Sequence, residues 1–199
     1  GEQVRFGLSA VRNVGANVVE GILGARREKG AFTSFQDFLD KVPLQVCNKR
    51  AIECLVKAGA FDSMGYSRKA LLAKVEEAVD AVVSLKKNEA AGQFDLFGGA
   101  DVDLGAGIDV VVPDIPEWDK KVKLDHERDM LGLYVSDHPL SGMEHVLDRA
   151  ADTTIVRLMN EESVQEGFVS LAGLITSVQP RVSKKNGKLW ATIMLEDLT

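Results

Sequence analysis

Leu8-Ser9-Ala10-Val11-Arg12-Asn13-Val14-Gly15 and the following Ala16-Asn17-Val18-Val19 decide how the front of this chain folds. Apolar side chains recur there at helical spacing and continue to Leu23, and Gly15 interrupts them. A glycine lets the backbone turn tightly, and the helix that starts behind it presents free N–H groups. Those groups, together with the helix dipole, can hold a phosphate oxygen without reading base sequence.

The same stretch resembles a helix-hairpin-helix DNA-binding motif. The usual hairpin reads glycine, apolar residue, glycine, and here Asn13 occupies the first glycine position. Asparagine tolerates left-handed dihedral angles better than most residues, so we expect the turn to persist. Ala58-Gly59-Ala60-Phe61 would form the hairpin of a second, more degenerate unit; the alternative for both is an ordinary helical turn that ends at a glycine. In this part of the chain we expect DNA contacts from Arg12, Asn13, Val14, Gly15, Ala16, Asn17, Arg26, Arg27, Lys49, Arg50 and Gly59.

Helix start and stop signals divide residues 1–90 into short helices. Lys29-Gly30 closes the first helix, and Ser34, Asn48 and Ser67 are candidate N-caps of the next three. The fold class predicted for this part is mainly α: a tandem helix-hairpin-helix domain over residues 1–90.

The distribution of charge is uneven along the chain, although the formal net charge is −6. Residues 1–75 carry 12 Lys and Arg against 7 Asp and Glu, residues 76–167 carry 8 against 21, and residues 168–199 carry 4 against 2. Phosphate binding depends on local cation density rather than on net charge, so both basic ends remain candidates for nucleic-acid binding.

Residues 91–118 are predicted to be a flexible linker, because glycines and scattered acids replace the helical periodicity. Within it, Gln93-Phe94-Asp95-Leu96-Phe97 resembles the sliding-clamp-binding peptide of bacterial replication proteins. In such a peptide Leu96 and Phe97 would fill an apolar pocket, and the Gln93 amide would bond to its rim. Phe94 stands where leucine is commoner. The alternative is a loop whose apolar side chains fold back onto the helices.

Residues 119–166 are predicted to be a helical connector, and the period of the apolar residues changes to two from Phe168 onward. Asn186-Gly187 is a strong hairpin signal between two strands. Residues 167–199 resemble the first strands of a β-barrel of the OB-fold type, which binds single strands through cations and aromatic stacking. The cations around this hairpin are Arg181, Lys184, Lys185 and Lys188, and Trp190 is the available aromatic residue or, alternatively, a core residue.

The string from Glu127 to Leu140, Glu-Arg-Asp-Met-Leu-Gly-Leu-Tyr-Val-Ser-Asp-His-Pro-Leu, closely resembles the segment between clamp peptide and barrel in bacterial replicative polymerases. With the other motifs in this order, the whole chain resembles part of the C-family replicative polymerases, the bacterial DNA polymerase III alpha subunits. The resemblance implies DNA-directed DNA synthesis by the complete polypeptide, with Mg²⁺ and deoxynucleotides at an upstream palm. It implies no catalytic, cofactor or metal residue in this segment. The implied partners are duplex DNA behind the primer end, the sliding clamp (the beta subunit) and a single-stranded template.

Other classes of protein fit the sequence less well. There is no apolar run long enough for a membrane span and no signal-peptide pattern, and Cys47 and Cys54 read as free thiols, so a cytoplasmic protein without a membrane partner is expected. Two alternatives stay open: a repair or recombination factor built from helix-hairpin-helix and OB modules without polymerase activity, and a helical adaptor that does not bind DNA.

Overall fold

The computed structural model describes residues 6–90, 110–160 and 167–199. It divides the chain into two compact units, Gly1–Val135 and Ser136–Thr199. Within the described residues the first unit is helical, and the second combines two short helices with a two-stranded antiparallel sheet. This agrees with the predicted, mainly α class followed by strands.

The first unit contains five α-helices and three short 3₁₀ helices among its described residues. The α-helices are α1 (Ala16–Lys29), α2 (Phe35–Lys41), α3 (Lys49–Lys57), α4 (Arg68–Ala90) and α5 (Lys120–Leu131). The 3₁₀ helices are Leu8–Ala10, Leu44–Val46 and Asp62–Met64. The second unit contains α6 (Glu144–Ala150), α7 (Ile155–Asn160), β1 (Leu174–Val182) and β2 (Leu189–Glu196). Among the described residues, no helix combines the length and apolar character needed to cross a bilayer.

The helices of the first unit start where short polar side chains satisfy free N–H groups. Ser34 Oγ accepts the Asp37 N–H at 3.1 Å, Asn48 Oδ1 accepts the Ala51 N–H at 3.3 Å, and Ser67 Oγ accepts the Ala70 N–H at 3.1 Å. All three predicted N-caps are therefore confirmed.

A cluster of aromatic and aliphatic side chains forms the core of the first unit. Phe38 and Phe61 meet edge to face with ring centroids 4.9 Å apart, and Phe35 packs against both. Ile52 of α3 and Val75 of α4 are completely buried in the same cluster. This core fixes α1 to α4 around the turn that precedes α1, because Val11 and Val14 also belong to it.

Gly21 permits a close approach of α1 to the 3₁₀ helix Leu44–Val46. A Cβ at this position would lie 2.6 Å from Val46 Cγ2 and 3.2 Å from Pro43 Cγ. Any larger residue would therefore have to push the two elements apart.

The last part of the predicted linker is hydrogen-bonded to the helical front of the chain. The Val110 N–H donates to Gln36 Oε1 at 3.1 Å, and Ser67 Oγ donates to the Ile115 carbonyl at 2.6 Å. Glu117 accepts the N–H groups of Arg68 and Lys69 at 3.0 and 3.2 Å, so it caps the start of α4 across a long sequence separation.

Helix α5, which the sequence assigns to the connector 119–166, packs with the helical front. Leu124 and Glu127 are buried, and the Glu127 carboxylate lies 3.8 Å from Arg68 Nη2. The first compact unit accordingly extends to Val135.

The β-hairpin of the second unit has two chemically different faces. In its register Val182 pairs with Leu189, Val178 with Ile193 and Arg181 with Trp190. Because side chains alternate along a strand, the Val182, Leu189, Val178 and Ile193 side chains share an apolar face, and Arg181 and Trp190 share the other. The predicted turn is confirmed: Gly187 has a φ of 68° and its N–H donates to the Ser183 carbonyl at 2.9 Å.

Two details of the second unit differ from the prediction. Strand β1 begins at Leu174 rather than near Phe168, because Leu174 already pairs with Glu196, the last residue of β2. Helix α7 lies within the predicted helical connector, but the sequence does not predict it as a separate helix; the N–H of its first residue, Ile155, donates to Asp197 Oδ2 at 2.7 Å. Thr154 marks the start of α7 locally, because its Oγ1 accepts the Arg157 N–H at 3.4 Å, whereas the Asp197 carboxylate lies far along the sequence and could not be predicted as a partner.

Candidate nucleic-acid interface

The turn at residues 11–14 is closed by a hydrogen bond from the Val14 N–H to the Val11 carbonyl, 3.1 Å long. Asn13 has a φ of 64° and is the one described residue other than glycine with a positive φ. This is the left-handed conformation that the sequence predicts for an asparagine in the first hairpin-glycine position. Val11 and Val14 point into the core, whereas Arg12 and Asn13 are exposed.

Gly15 is the N-cap residue of α1, and within the described part of the chain no side chain accepts a hydrogen bond from the first turn of that helix. Gly15, Ala16 and Asn17 are all exposed, and a Cβ at Gly15 would meet no atom within 4 Å. The first turn contains no acidic residue. The N–H groups at the start of α1 therefore face solvent with the positive end of the helix dipole, which is the arrangement that binds anions.

Two contacts from distant parts of the chain hold this turn. Asn13 Nδ2 donates to the sulfur of the buried Cys54 at 3.4 Å, and the Arg12 N–H donates to the Met130 carbonyl of α5 at 2.9 Å. Sequence reasoning missed both partners. Neither a buried cysteine nor a helical methionine carries a pattern that marks it as a support for a turn elsewhere.

Four of the predicted cations are exposed and make no ion pair or side-chain hydrogen bond within the described residues: Arg12, Arg26, Arg27 and Arg50. Arg26 and Arg27 lie in the last turn of α1, roughly 17 Å along the helix from Gly15 at a rise of about 1.5 Å per residue. They could therefore meet a different phosphate from the one at Gly15.

Lys49 is engaged within the protein. Its ammonium lies 2.8 Å from Asp80 Oδ2 and 3.2 Å from Glu76 Oε1, both on α4. The hydrogen bonds that the Lys49 ammonium donates to Asp80 and, to a lesser extent, to Glu76 raise the pKa of Lys49. A phosphate would have to compete with two carboxylates for this cation, so Lys49 is a weaker candidate than the four arginines.

The predicted second hairpin ends α3 instead of opening a following α-helix. The Gly59 and Ala60 N–H groups donate to the Val56 and Leu55 carbonyls, both at 3.0 Å, and Gly59 has a φ of 81°. This double hydrogen bond is a Schellman C-cap. The 3₁₀ helix Asp62–Met64 follows it. A Cβ at Gly59 would lie 2.2 Å from Arg68 Nη2, so an internal guanidinium covers this glycine.

A second basic surface lies on the β-hairpin of the second unit. Lys184, Lys185 and Lys188 are exposed around its turn. The Arg181 guanidinium carbon lies 5.6 Å from the centre of the half-exposed Trp190 ring, a cation–π contact on the face opposite the apolar residues. A core tryptophan would lie on the apolar face of the hairpin, whereas Trp190 lies on the opposite face.

The predicted clamp-binding residues, Gln93, Phe94, Asp95, Leu96 and Phe97, lie outside the described residues. Within the described ranges, no group of three or more His, Cys, Asp or Glu side chains could hold a metal ion.

Comparison with known proteins supplies the context for these surfaces. Residues 1–71 match the family model described as a helix-hairpin-helix motif. Proteins named DNA polymerase III subunit alpha align with the chain: 49% identity for Mycobacterium tuberculosis (strain ATCC 25618 / H37Rv), 50% for Saccharopolyspora erythraea and 34% for Vibrio cholerae. The first two alignments cover 100% of this chain and the third covers 92%. The chain spans only 17%, 17% and 16% of these relatives' respective lengths.

Proposed function

Because this chain is homologous over its whole length to one segment of the DNA polymerase III alpha subunit, we propose that it is the DNA-binding and clamp-binding portion of a bacterial replicative polymerase. It would position duplex DNA behind the primer end and tether the enzyme to the sliding clamp. Each relative named above is an alpha subunit of this polymerase, so we do not retain a repair factor or an adaptor as a second candidate.

The observation that carries the DNA-binding part is the uncapped start of α1 behind the left-handed Asn13. The exposed N–H groups at Gly15 and Ala16 can bond to one phosphate oxygen, and Val14 anchors the turn in the core. Such contacts position a duplex but carry no base preference.

Arginine side chains add the electrostatic part of the proposed interface. Arg12 adjoins the turn, and Arg26 and Arg27 extend the basic surface along α1; none of these is paired within the described residues. Arg50 is a further exposed candidate on α3. Neutralising several phosphates releases counterions, so affinity should fall with salt.

The clamp-binding part rests on the sequence Gln93-Phe94-Asp95-Leu96-Phe97. We infer that Leu96 and Phe97 enter an apolar pocket of the clamp and that Gln93 bonds at its rim. A polymerase held to a ring around the duplex has a higher effective concentration at the primer end, so processivity rises without a new catalytic contact.

The β-hairpin of the second unit is a candidate surface for the single-stranded template. Trp190 offers a ring on which a base can stack, Arg181 adds a cation, and the three lysines of the turn can follow a backbone. Replacing Trp190 with alanine should weaken single-strand binding about tenfold or more, whereas Leu189→Ala on the opposite face should not. Equal losses for the two variants would contradict this role.

We further propose that the complete polypeptide is a DNA-directed DNA polymerase of the bacterial cytoplasm. The Mg²⁺ expected for its nucleotidyl transfer would be held by residues outside this segment, so no catalytic role is assigned to any residue here.

Two binding experiments test the proposal. The first measures affinity for a duplex oligonucleotide at several salt concentrations; a steep linear fall of log K with log salt is expected, and a flat line would contradict phosphate-led binding.

The second measures binding of purified sliding clamp to a Leu96→Ala/Phe97→Ala variant. The matched control is Val102→Ala/Leu104→Ala, which removes similar apolar groups outside the motif. Loss in the first variant alone is expected, and undiminished binding there would remove the clamp role.

A further inference from the structure

The DNA-binding turn is supported by a helix that comes more than a hundred residues later in the sequence. The Arg12 N–H donates to the Met130 carbonyl at 2.9 Å, and Met130 lies in the last turn of α5. Arg12 precedes the left-handed Asn13, so this bond fixes the peptide unit at which the chain enters the turn.

The end of α5 is well suited to accept this N–H. The last four carbonyls of an α-helix have no donor within the helix. The Gly132 N–H bonds to the Arg128 carbonyl at 2.7 Å, and the Met130 carbonyl receives the Arg12 N–H instead. Gly132, with a φ of 79° and a ψ of −3°, stops the helix in a left-handed cap, which leaves the Met130 carbonyl for the turn.

Helix α5 is itself fixed within the first unit. Leu124 is buried, and the buried Glu127 carboxylate lies 3.8 Å from Arg68 Nη2. The side chains of Met130 and Leu131 pack against the core cluster. The carbonyl that holds Arg12 is therefore attached to a rigid part of the molecule.

We propose that the C-terminal end of α5 is a positioning element for duplex binding, with Met130 as the residue that holds the turn and Gly132 as the residue that sets the helix end. The inference rests on the proposed function of the turn at residues 11–17. It assigns α5 to the DNA-binding unit, in place of a role as a connector only.

The mechanism is pre-organisation. If the end of α5 frays, Arg12 and Asn13 lose their fixed backbone, and phosphate binding must then order them again. Ordering one or two residues corresponds to a loss of about tenfold in affinity. No contact with DNA by α5 itself is required.

A matched pair of glycine substitutions separates this effect from general loss of stability. Gly132 and Gly65 both lie in the first unit, have φ values of 79° and 81°, and have nothing within 4 Å of an added Cβ. Gly132→Ala and Gly65→Ala should therefore introduce similar backbone strain. Duplex affinity should fall about tenfold for Gly132→Ala and by less than about twofold for Gly65→Ala. Gly132→Asn should restore affinity, because asparagine tolerates this conformation.

Hydrogen exchange of the Arg12 amide provides a measurement that does not need DNA. In the full chain, Gly132→Ala should accelerate exchange at Arg12 well beyond Gly65→Ala, and Gly132→Asn should reverse the change. Equal exchange in the two alanine variants, or equal duplex affinity of these variants when the parent does bind duplex, would overturn the inference. A different outcome is accelerated exchange at Arg12 in Gly132→Ala without any salt-dependent duplex binding by the protein. That outcome would contradict the proposed DNA-binding function, while the support of the turn by α5 would stand.

Discussion

The guanidinium of Arg68 lies directly against the α-carbon of Gly59. A Cβ at position 59 would lie 2.2 Å from Nη2 and 2.6 Å from Cζ. Arg68 is 2% exposed; it bonds to both carboxylate oxygens of Asp62, at 2.9 and 2.6 Å, and to the Lys57 carbonyl at 3.1 Å. One buried cation thus joins the end of α3, the following turn and α4, and the glycine beneath it leaves room for the guanidinium.

Arg68→Met should lower the free energy of unfolding by about 3 kcal/mol, because Asp62 and the Lys57 carbonyl would lose the hydrogen bonds of a buried guanidinium and the buried Glu127 would lose its ion pair with it. Lys69→Met is the matched control on the next, exposed position and should change it by less than about 0.5 kcal/mol. Urea unfolding of the full chain measures both. Equal values for the two variants would show that this network contributes little to stability.

Asn13→Gly and Asn13→Ala should differ in duplex affinity. Both remove the hydrogen bond to Cys54, but glycine keeps the positive φ at low cost whereas alanine is strained there by about 1 kcal/mol or more. We expect affinity close to the parent for Asn13→Gly and a loss of about fivefold or more for Asn13→Ala, measured by fluorescence anisotropy at constant salt. Identical affinities would indicate that the left-handed conformation is not required.

Gly21→Ala and Gly24→Ala, both within α1, should change stability in opposite directions. Alanine at position 21 would meet Val46 Cγ2 at 2.6 Å, which should lower the free energy of unfolding by about 1–3 kcal/mol. A Cβ at Gly24 meets nothing within 4 Å, so Gly24→Ala should raise it by about 0.5–1 kcal/mol through helix propensity. Thermal and urea unfolding measure the change in the free energy of unfolding for both variants. Changes of the same sign would show that the contact at Val46 is unimportant.

Acid should remove the contribution of Asp37 to stability. Hydrogen bonds from Lys41 and then from Thr33 lower the pKa of Asp37, despite the opposing effect of burial. The folded chain therefore favours the ionised carboxylate. This stabilisation is complete above the ordinary pKa of an unfolded aspartate and is lost as the pH falls through the lowered pKa of the folded state.

The difference in melting temperature between the parent and Asp37→Asn should accordingly be present at neutral pH and vanish in acid. NMR titration provides the second measurement: Lys41→Met should move the pKa of Asp37 towards its ordinary value, since Lys41 Nζ bonds to Oδ2 at 2.8 Å. An unchanged titration would mean that the lysine is not the main cause of the shift.

Local signals in the sequence identify most of the helices and the left-handed turn. Three helices are capped by side chains that accept the N–H three residues later, namely Ser34, Asn48 and Ser67. The β-turn forms from the adjacent residues Asn186-Gly187. Each of these features can be predicted from a short stretch of sequence. The φ of Asn13 follows similarly from the preference of asparagine for this conformation.

Long-range supports could not be predicted in the same way. Three contacts join residues that no sequence period relates. They are the hydrogen bond between Arg12 and Met130, the cap that Asp197 supplies to α7, and the packing of Arg68 over Gly59. The first of these contacts ties α5 to the turn before α1, the second supports α7, and the third covers Gly59. They depend on tertiary packing, which the periodicity of apolar residues does not specify.

The carboxylate of Glu117 has a consequence for the order of folding. It accepts the Arg68 N–H from 49 residues away, so the first turn of α4 is completed only after that part of the chain has been made and has returned. Closing so large a loop costs entropy before the bond forms, and it slows a unit whose helices are otherwise local. During synthesis on the ribosome, the Arg68 and Lys69 N–H groups should therefore remain exchangeable until the chain beyond residue 117 has emerged.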